Sequence, residues 1–211
     1  MRSAASQFIR RVASDCSASS AAEFAMVLPL MLLFIFGIID VGRLMWQWNE
    51  AEKATQMGVR FAVVTTPVAT GLAEFDFTTI SGVQQGAPIG STLFPGVSCT
   101  GTAIAATCTC KAANTCSFPA TANGPAFNNI VTRMTLIDAQ IAPANVVVDY
   151  DHAGLGFAGN PYGPDVAPII TVGLRNMQFR PILGQLFGAT INMPSFAASL
   201  TMEDASGTVS N

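Results

Sequence analysis

Glu23-Phe-Ala-Met-Val-Leu-Pro-Leu-Met-Leu-Leu-Phe-Ile-Phe-Gly-Ile-Ile-Asp40 decides how the rest of this 211-residue chain is read. No charged residue separates Glu23 from Asp40, and Phe24 to Ile39 is almost wholly apolar. At about 1.5 Å per residue that core covers roughly 24 Å, slightly less than the roughly 30 Å hydrocarbon layer of a bilayer. The flanks complete the span. Ala21 and Ala22 extend it on one side, Val41, Leu44 and Met45 on the other, and Trp46 and Trp48 stand where interfacial aromatics belong. A buried core helix is the other reading of such a run, and the basic leader before it favours the membrane.

That leader carries Arg2, Arg10 and Arg11 against one acid, Asp15. Positive residues beside a membrane helix stay cytoplasmic, so the amino end is expected inside and everything after Met45 outside. A cleaved secretory signal shares the basic-then-apolar order. However, the run is too long for its apolar region, and Asp40-Val-Gly-Arg-Leu-Met-Trp46 lacks a small-x-small cleavage site. The run reads as an anchor that is retained. Within it, Pro29 removes a backbone donor and predicts a local break or kink. Glu23, expected in the first helical turn, favours the positive end of the helix dipole by about 0.3–1 kcal/mol. A sharper reading has Glu23 meet a positive group on a neighbouring chain. Asp40 and Arg43, on one face, are expected to pair at the outer boundary.

The helical pattern continues past the tryptophans. Ala51, Ala54, Thr55, Gly58 and Ala62 form a stripe of small side chains, and Glu50, Glu52, Lys53 and Arg60 supply a polar face. Thr65-Thr66-Pro67 is the expected stop, because the residue before proline is pushed out of the α region. One helix from about Ser20 to Val64 would be roughly 68 Å long. Its outer, amphipathic half needs a sheet or other helices against the small stripe.

Composition narrows the function classes. Charged residues make up 11% of the chain, under half the roughly 25% usual in soluble domains, and the mean hydropathy is positive. A net charge of −3, with scattered basic residues, argues against a nucleic-acid partner. Cys16 precedes the span, while Cys99, Cys108, Cys110 and Cys116 cluster after it. An even set beyond a membrane helix reads as two disulfides in an oxidising compartment. Joining Cys108 to Cys110 across one residue is the most strained choice. Cys99–Cys108 with Cys110–Cys116, and Cys99–Cys110 with Cys108–Cys116, both remain open. Structural zinc is the rival reading, but it prefers Cys-x2–4-Cys pairs, which these spacings do not supply.

Val68 to Pro125 is rich in Gly, Pro, Ser, Thr and Ala and reads as a long, disulfide-stapled excursion with short strands at most and little core. Phe127, Ile130, Met134 and Ile137 then mark a helix over 126–140, ending before Pro143. Strands are predicted at Asn145–Tyr150, Ala167–Gln178 and Ala189–Met202, the last bent at Pro194, with a hydrophobic connection over Phe179–Phe187. The expected fold class is α+β, a long helix on a small antiparallel sheet with a stapled insertion. The expected domains are a cytoplasmic leader at 1–18, a transmembrane and amphipathic helix at 19–66, an irregular cysteine-bearing insertion at 67–125, and an extracytoplasmic helix-plus-sheet region at 126–211.

Ser19-Ser-Ala-Ala-Glu-Phe-Ala-Met-Val-Leu-Pro-Leu30, followed by Phe36-Gly-Ile-Ile-Asp-Val-Gly-Arg43, resembles the TadE/TadG-like proteins. These are minor pilins, or pseudopilins, of the tight-adherence (Flp-type) pilus. The resemblance covers about residues 17 to 62, including Gly58-Val-Arg-Phe-Ala62. The carboxyl part agrees only in style, and the cysteine segment has no counterpart. The resemblance implies a pilin-like fold and cleavage by a prepilin peptidase between Ala18 and Ser19, ahead of Glu23 and Phe24. The family commonly has Gly where this chain has Ala18. Cleavage would make Glu23 the fifth residue and let it meet the new Ser19 amino group of an adjacent subunit. The apolar helix, with Pro29, Gly37, Asp40, Gly42 and Arg43, would then serve both the membrane and filament packing. Implied partners are other pilins, assembly-platform proteins, the peptidase and the lipid bilayer. The implied location is the bacterial inner membrane, single-pass with a cytoplasmic amino terminus, and the pilus or cell surface after assembly.

An enzyme is not expected. His152, the one histidine, follows Asp149-Tyr-Asp151 at a strand end and reads as a solvated turn, although acids plus a histidine are the kit of an anchored hydrolase. Gly154-Leu-Gly-Phe-Ala-Gly159 does not join a strand to a helix start, so it carries little weight as a phosphate loop. No cofactor or metal is implied. The runner-up is a permanently anchored extracytoplasmic binding or adhesion protein.

Overall fold

The computed structural model describes residues 18–102, 105–111 and 116–208. The basic leader, with Arg2, Arg10, Arg11, Asp15 and Cys16, lies outside the described residues. Helix α1 runs from Ala18 to Val64 and continues through Pro29. The described chain divides into two compact units. One holds α1 up to Met45 together with Arg180–Thr190; the other holds Trp46–Phe179 and Ile191–Asn211.

In the first unit the apolar run is bare. Met26 is 84% exposed and Ile38 72%, which in a water-soluble protein would be a standing penalty. Among the described residues α1 is the one helix long and apolar enough to cross a membrane. The short helix α4, Ile182–Phe187, completes this unit and ends at Gly188, whose φ of 69° is the left-handed conformation that closes helices. The Ala189 N–H donates to the Gly184 carbonyl at 2.8 Å, as that closure requires.

The second unit is a sheet with helices against it. Strands β1 (Val97–Gly101), β2 (Ala106–Cys110), β3 (Val146–Asp151), β4 (Ile169–Leu174) and β7 (Phe196–Thr201) form a five-stranded sheet in the order β2-β1-β3-β4-β7. Every neighbouring pair is antiparallel. β5 (Gln178–Phe179) and β6 (Ile191–Asn192) make a separate two-stranded ribbon. Strand alternation puts Val97, Cys99, Val146, Val148, Tyr150, Ile170, Val172 and Leu174 on one face, and all are fully buried.

The small stripe of α1 is buried as its spacing predicts, at Ala51, Ala54, Thr55, Gly58 and Ala62. A Cβ on Gly58 would stand 2.9 Å from Met134 Cγ and 3.1 Å from Val172 Cγ1. Gly58 is therefore where α1 meets both the sheet and helix α3, Gly124–Thr135, the next helix after the one-turn α2 at Gly71–Glu74. That helix starts earlier than its apolar spacing suggests because Asn123 accepts the Ala126 N–H, at 3.1 Å. It ends earlier too. The N–H of Ile137 turns to the Met134 carbonyl at 3.0 Å, a tighter bond that closes the helix before Pro143.

Three differences from the sequence reading have physical causes. The cysteine segment supplies two sheet strands, so the sheet has five strands rather than three. Cys99 lies opposite Cys108, with Cα atoms 4.0 Å apart, and the two are bridged; Cys110 is bridged to Cys116. Of the two open pairings, the structure shows the sequential one. The same region has its own core: Phe77, Phe94 and Phe118 are buried, with Phe94 and Phe118 ring centroids 5.5 Å apart and Phe75 at 5.0 Å from Phe77. Finally, Ala189–Met202 is not one strand. Pro194 has no N–H to donate, and the chain on either side of it pairs with different partners, β5 and β4.

The end of α1 is held by the carboxyl-terminal stretch. The Glu203 N–H donates to the Val63 carbonyl at 3.0 Å, giving a partner to a carbonyl the helix end would leave bare, and just beyond the helix the Thr66 N–H donates to the Gly207 carbonyl at 2.9 Å.

Candidate functional site

The residues singled out by sequence lie mostly along the first part of α1. Ala18 and Ser19 form its start among the described residues, and Glu23 follows beyond the first turn. This corrects the expectation of a first-turn carboxylate, because the dipole effect fades within that turn. Glu23 and Phe24 are exposed. Pro29 is exposed within the continuous helix.

Gly37 and Gly42 are open on their side-chain faces, since a Cβ on either would meet nothing within 4 Å. The packing within this chain therefore places no steric demand for glycine at either position. Around Gly37 lies a shallow apolar notch of about 600 Å³, lined by Leu30, Leu33, Phe34, Ile38 and Val41. Such a notch admits a bulky apolar side chain or an acyl chain.

Asp40 is the exception on the bare part of this helix, at 7% exposed. Its Oδ1 accepts the Ile182 N–H at 2.7 Å and its Oδ2 the Leu183 N–H at 3.1 Å. Arg43 also donates to Oδ1, at 3.3 Å. The i, i+3 spacing indicates the Arg43 pair. Nothing in the sequence pointed to the two backbone donors 142 and 143 residues away. The only cue was negative: Pro181 precedes α4 without a side chain able to cap it.

Trp46 and Trp48 part company. Trp46 is 69% exposed, whereas Trp48 stacks edge-on against Phe196 at 5.1 Å and donates its indole N–H to Glu52 at 2.9 Å. Trp48 thus belongs to the packing of the second unit and is not a free interfacial aromatic.

The acid–histidine cluster is spread over structural roles. His152 Nε2 donates to the Ile89 carbonyl at 2.8 Å. Lys111 pairs with Asp151 at 2.7 Å and with Asp149 at 3.7 Å, while Arg175 reaches Asp149 at 3.8 Å. Asp165 lies deeper. Its two oxygens accept three backbone N–H groups, from Phe77 at 2.8 Å, Gly159 at 2.9 Å and Asn160 at 2.8 Å. It staples the aromatic core of the insertion to the 159–165 turn, beside a cleft of about 510 Å³ that Glu74 and Asp76 also line. The Thr78 hydroxyl and N–H hold Asp76 below the usual carboxylate range. Among the described residues no group of three His, Cys, Asp or Glu could hold a metal ion.

Helix α1, then, joins a bare apolar half carrying an aligned carboxylate and open glycines to a half whose small stripe is buried in a folded head. Residues 18–60 match the protein-family model described as TadE-like protein. No curated protein and no solved structure matches the chain. Over this stretch of the helix the chain is similar to the TadE-like family of Tad pilus proteins.

Proposed function

We propose that the chain is a non-catalytic minor pilin, or pseudopilin, acting in assembly, priming or the tip of a tight-adherence pilus. The observation that carries the reading is the division of α1. One half is buried under a disulfide-bonded head, and the other is bare, apolar and notched at Gly37. A helix of this kind can lie in a bilayer before assembly and against other apolar helices afterwards, because both surroundings satisfy the same surface. In this reading the partners are other pilins, assembly-platform proteins and the lipid bilayer. The amino end is cytoplasmic and the head extracytoplasmic, in keeping with its two disulfides.

Prepilin peptidase would cut after Ala18, leaving Ser19 as the first residue and Glu23 able to approach the Ser19 amino group of the next subunit. Phe24, Pro29, Gly37, Asp40, Gly42 and Arg43 then lie along the packing helix. The domains follow as leader 1–18, helix 19–66, insertion 67–125 and the region 126–211. Ala18, where the family commonly has Gly, favours a second reading. In it the leader is kept and the chain remains a permanent anchor for an extracytoplasmic binding or adhesion head.

Intact mass of the protein from native membranes, with the peptidase present and deleted, separates the two. Peptidase-dependent loss of Met1 to Ala18 supports the pilin. An unchanged full-length mass in both strains sinks the processed form and leaves the anchored head.

A further inference from the structure

We infer that α4 is a second membrane contact, an interfacial helix clamped by Asp40 to the outer end of the apolar run, with the hydrocarbon edge of the bilayer, just beneath the headgroups, as its partner. This rests on α1 spanning the membrane, as proposed above.

The position of α4 comes from Asp40. That residue closes the uncharged stretch begun at Glu23, so its carboxylate marks the depth at which the apolar surface of α1 ends. Both of its oxygens accept backbone donors from the first turn of α4. The segment Arg180–Thr190 belongs to the same compact unit as this part of α1. α4 is thus fixed, through two hydrogen bonds, at the level where hydrocarbon gives way to headgroups.

The chemistry of the segment suits that layer. A helix start carries unpaired N–H groups that are costly to remove from water, and Pro181 offers no side-chain acceptor for them. Asp40 fills that role. At the other end Gly188 and the Ala189-to-Gly184 bond close the last turn. Both ends therefore have partners within the chain. A six-residue helix does not persist in water by itself, since nucleation costs more than so few bonds return. It needs a surface. From Pro181 to Met202 the sequence has no charged residue, and Ile182-Leu-Gly-Gln-Leu-Phe187 is four-sixths large apolar. Arg180 just precedes it and Arg43 stands one turn beyond Asp40, the cations expected beside lipid phosphates.

The test uses the full chain in nanodiscs of phosphatidylethanolamine and phosphatidylglycerol. A spin label is placed in turn at Gln185 and at Ile38, and its collisions with oxygen and with a water-soluble nickel chelate are compared. Oxygen collisions exceeding chelate collisions at both positions is the expected result. Chelate collisions dominating at Gln185 while Ile38 stays shielded overturns the interfacial helix and leaves the span intact. Chelate access at Ile38 removes the spanning reading itself, and this inference with it. In the Asp40→Ala chain, chelate collisions at Gln185 are expected to rise with Ile38 unchanged. An unaltered value at Gln185 overturns the role of Asp40 as the clamp.

Discussion

The phenolic oxygen of Tyr150 accepts the backbone N–H of Val68 at 2.8 Å, and neither residue has any solvent exposure. Tyr150 lies in the central strand β3, and Val68 lies just beyond the end of α1 at Val64. The bond therefore ties the exit of the long helix to the middle of the sheet. Burial also pushes the phenol well above its ordinary pKa, so it stays a neutral partner throughout the physiological range. Replacing Tyr150 with Phe keeps the ring and leaves the Val68 N–H buried without an acceptor. The expected loss is about 1–3 kcal/mol, read as a lower midpoint in urea unfolding with an unchanged slope.

Gly58 is the closest approach of α1 to its neighbours. Alanine there would set helix propensity, worth about 1 kcal/mol, against contact with Met134 and Val172. Leucine leaves no such balance. Gly58→Leu must displace Met134 and Val172 from a filled core, at a cost of about 1–3 kcal/mol or more. Thermal unfolding of the protein in detergent should show the drop. An unchanged midpoint would mean that α1 and α3 separate freely at this point.

Asp138 is buried with Oδ2 lacking a hydrogen-bond partner, while Oδ1 accepts the Gln140 N–H at 2.9 Å. Burial raises its pKa, the Gln140 N–H opposes the rise, and the charge of Glu50 adds to it. The folded protein therefore holds this proton more tightly than the unfolded chain does. Stability contributed by the protonated acid is complete below the unfolded pKa of about 4 and is lost as pH rises through the folded value. Asp138→Asn retains an acceptor for Gln140 and removes the charge. Its melting temperature should exceed that of the parent at neutral pH, with the gap closing as pH falls through the folded value and gone by about 4. A gap independent of pH would remove the buried charge as its cause.

The Cys99–Cys108 bridge joins directly opposed residues of β1 and β2, and Cys99 lies in the core. Replacing both with Ala should cost about 2–3 kcal/mol, mainly through the freer unfolded chain. Hydrogen exchange is expected to quicken first in β1 and β2, because β2 is an edge strand with one neighbour in the sheet. Uniform quickening across β3 and β4 would show instead that the hairpin and the centre of the sheet unfold together.

The sequence by itself determined α1. Its apolar run, its small stripe at Ala51, Ala54, Thr55, Gly58 and Ala62, and its stop before Pro67 all follow from composition and a period of 3.6. These are local signals, written within a few turns of one another. The core strands β3 and β4 were legible for the same reason, through alternation of β-branched residues. The tertiary structure alone decided the rest. Ala106-Thr-Cys-Thr-Cys110 becomes a sheet strand only because β1 has room for it, and Phe77, Phe94 and Phe118, scattered through a Gly- and Ser-rich stretch, become a core only when the chain folds back. Asp165 and Asp40 could each have been solvated surface acids. Their bonds to Phe77 and to Ile182 and Leu183 cross 88 to 143 residues, and no periodicity reports a partner that only chain closure brings within hydrogen-bond reach.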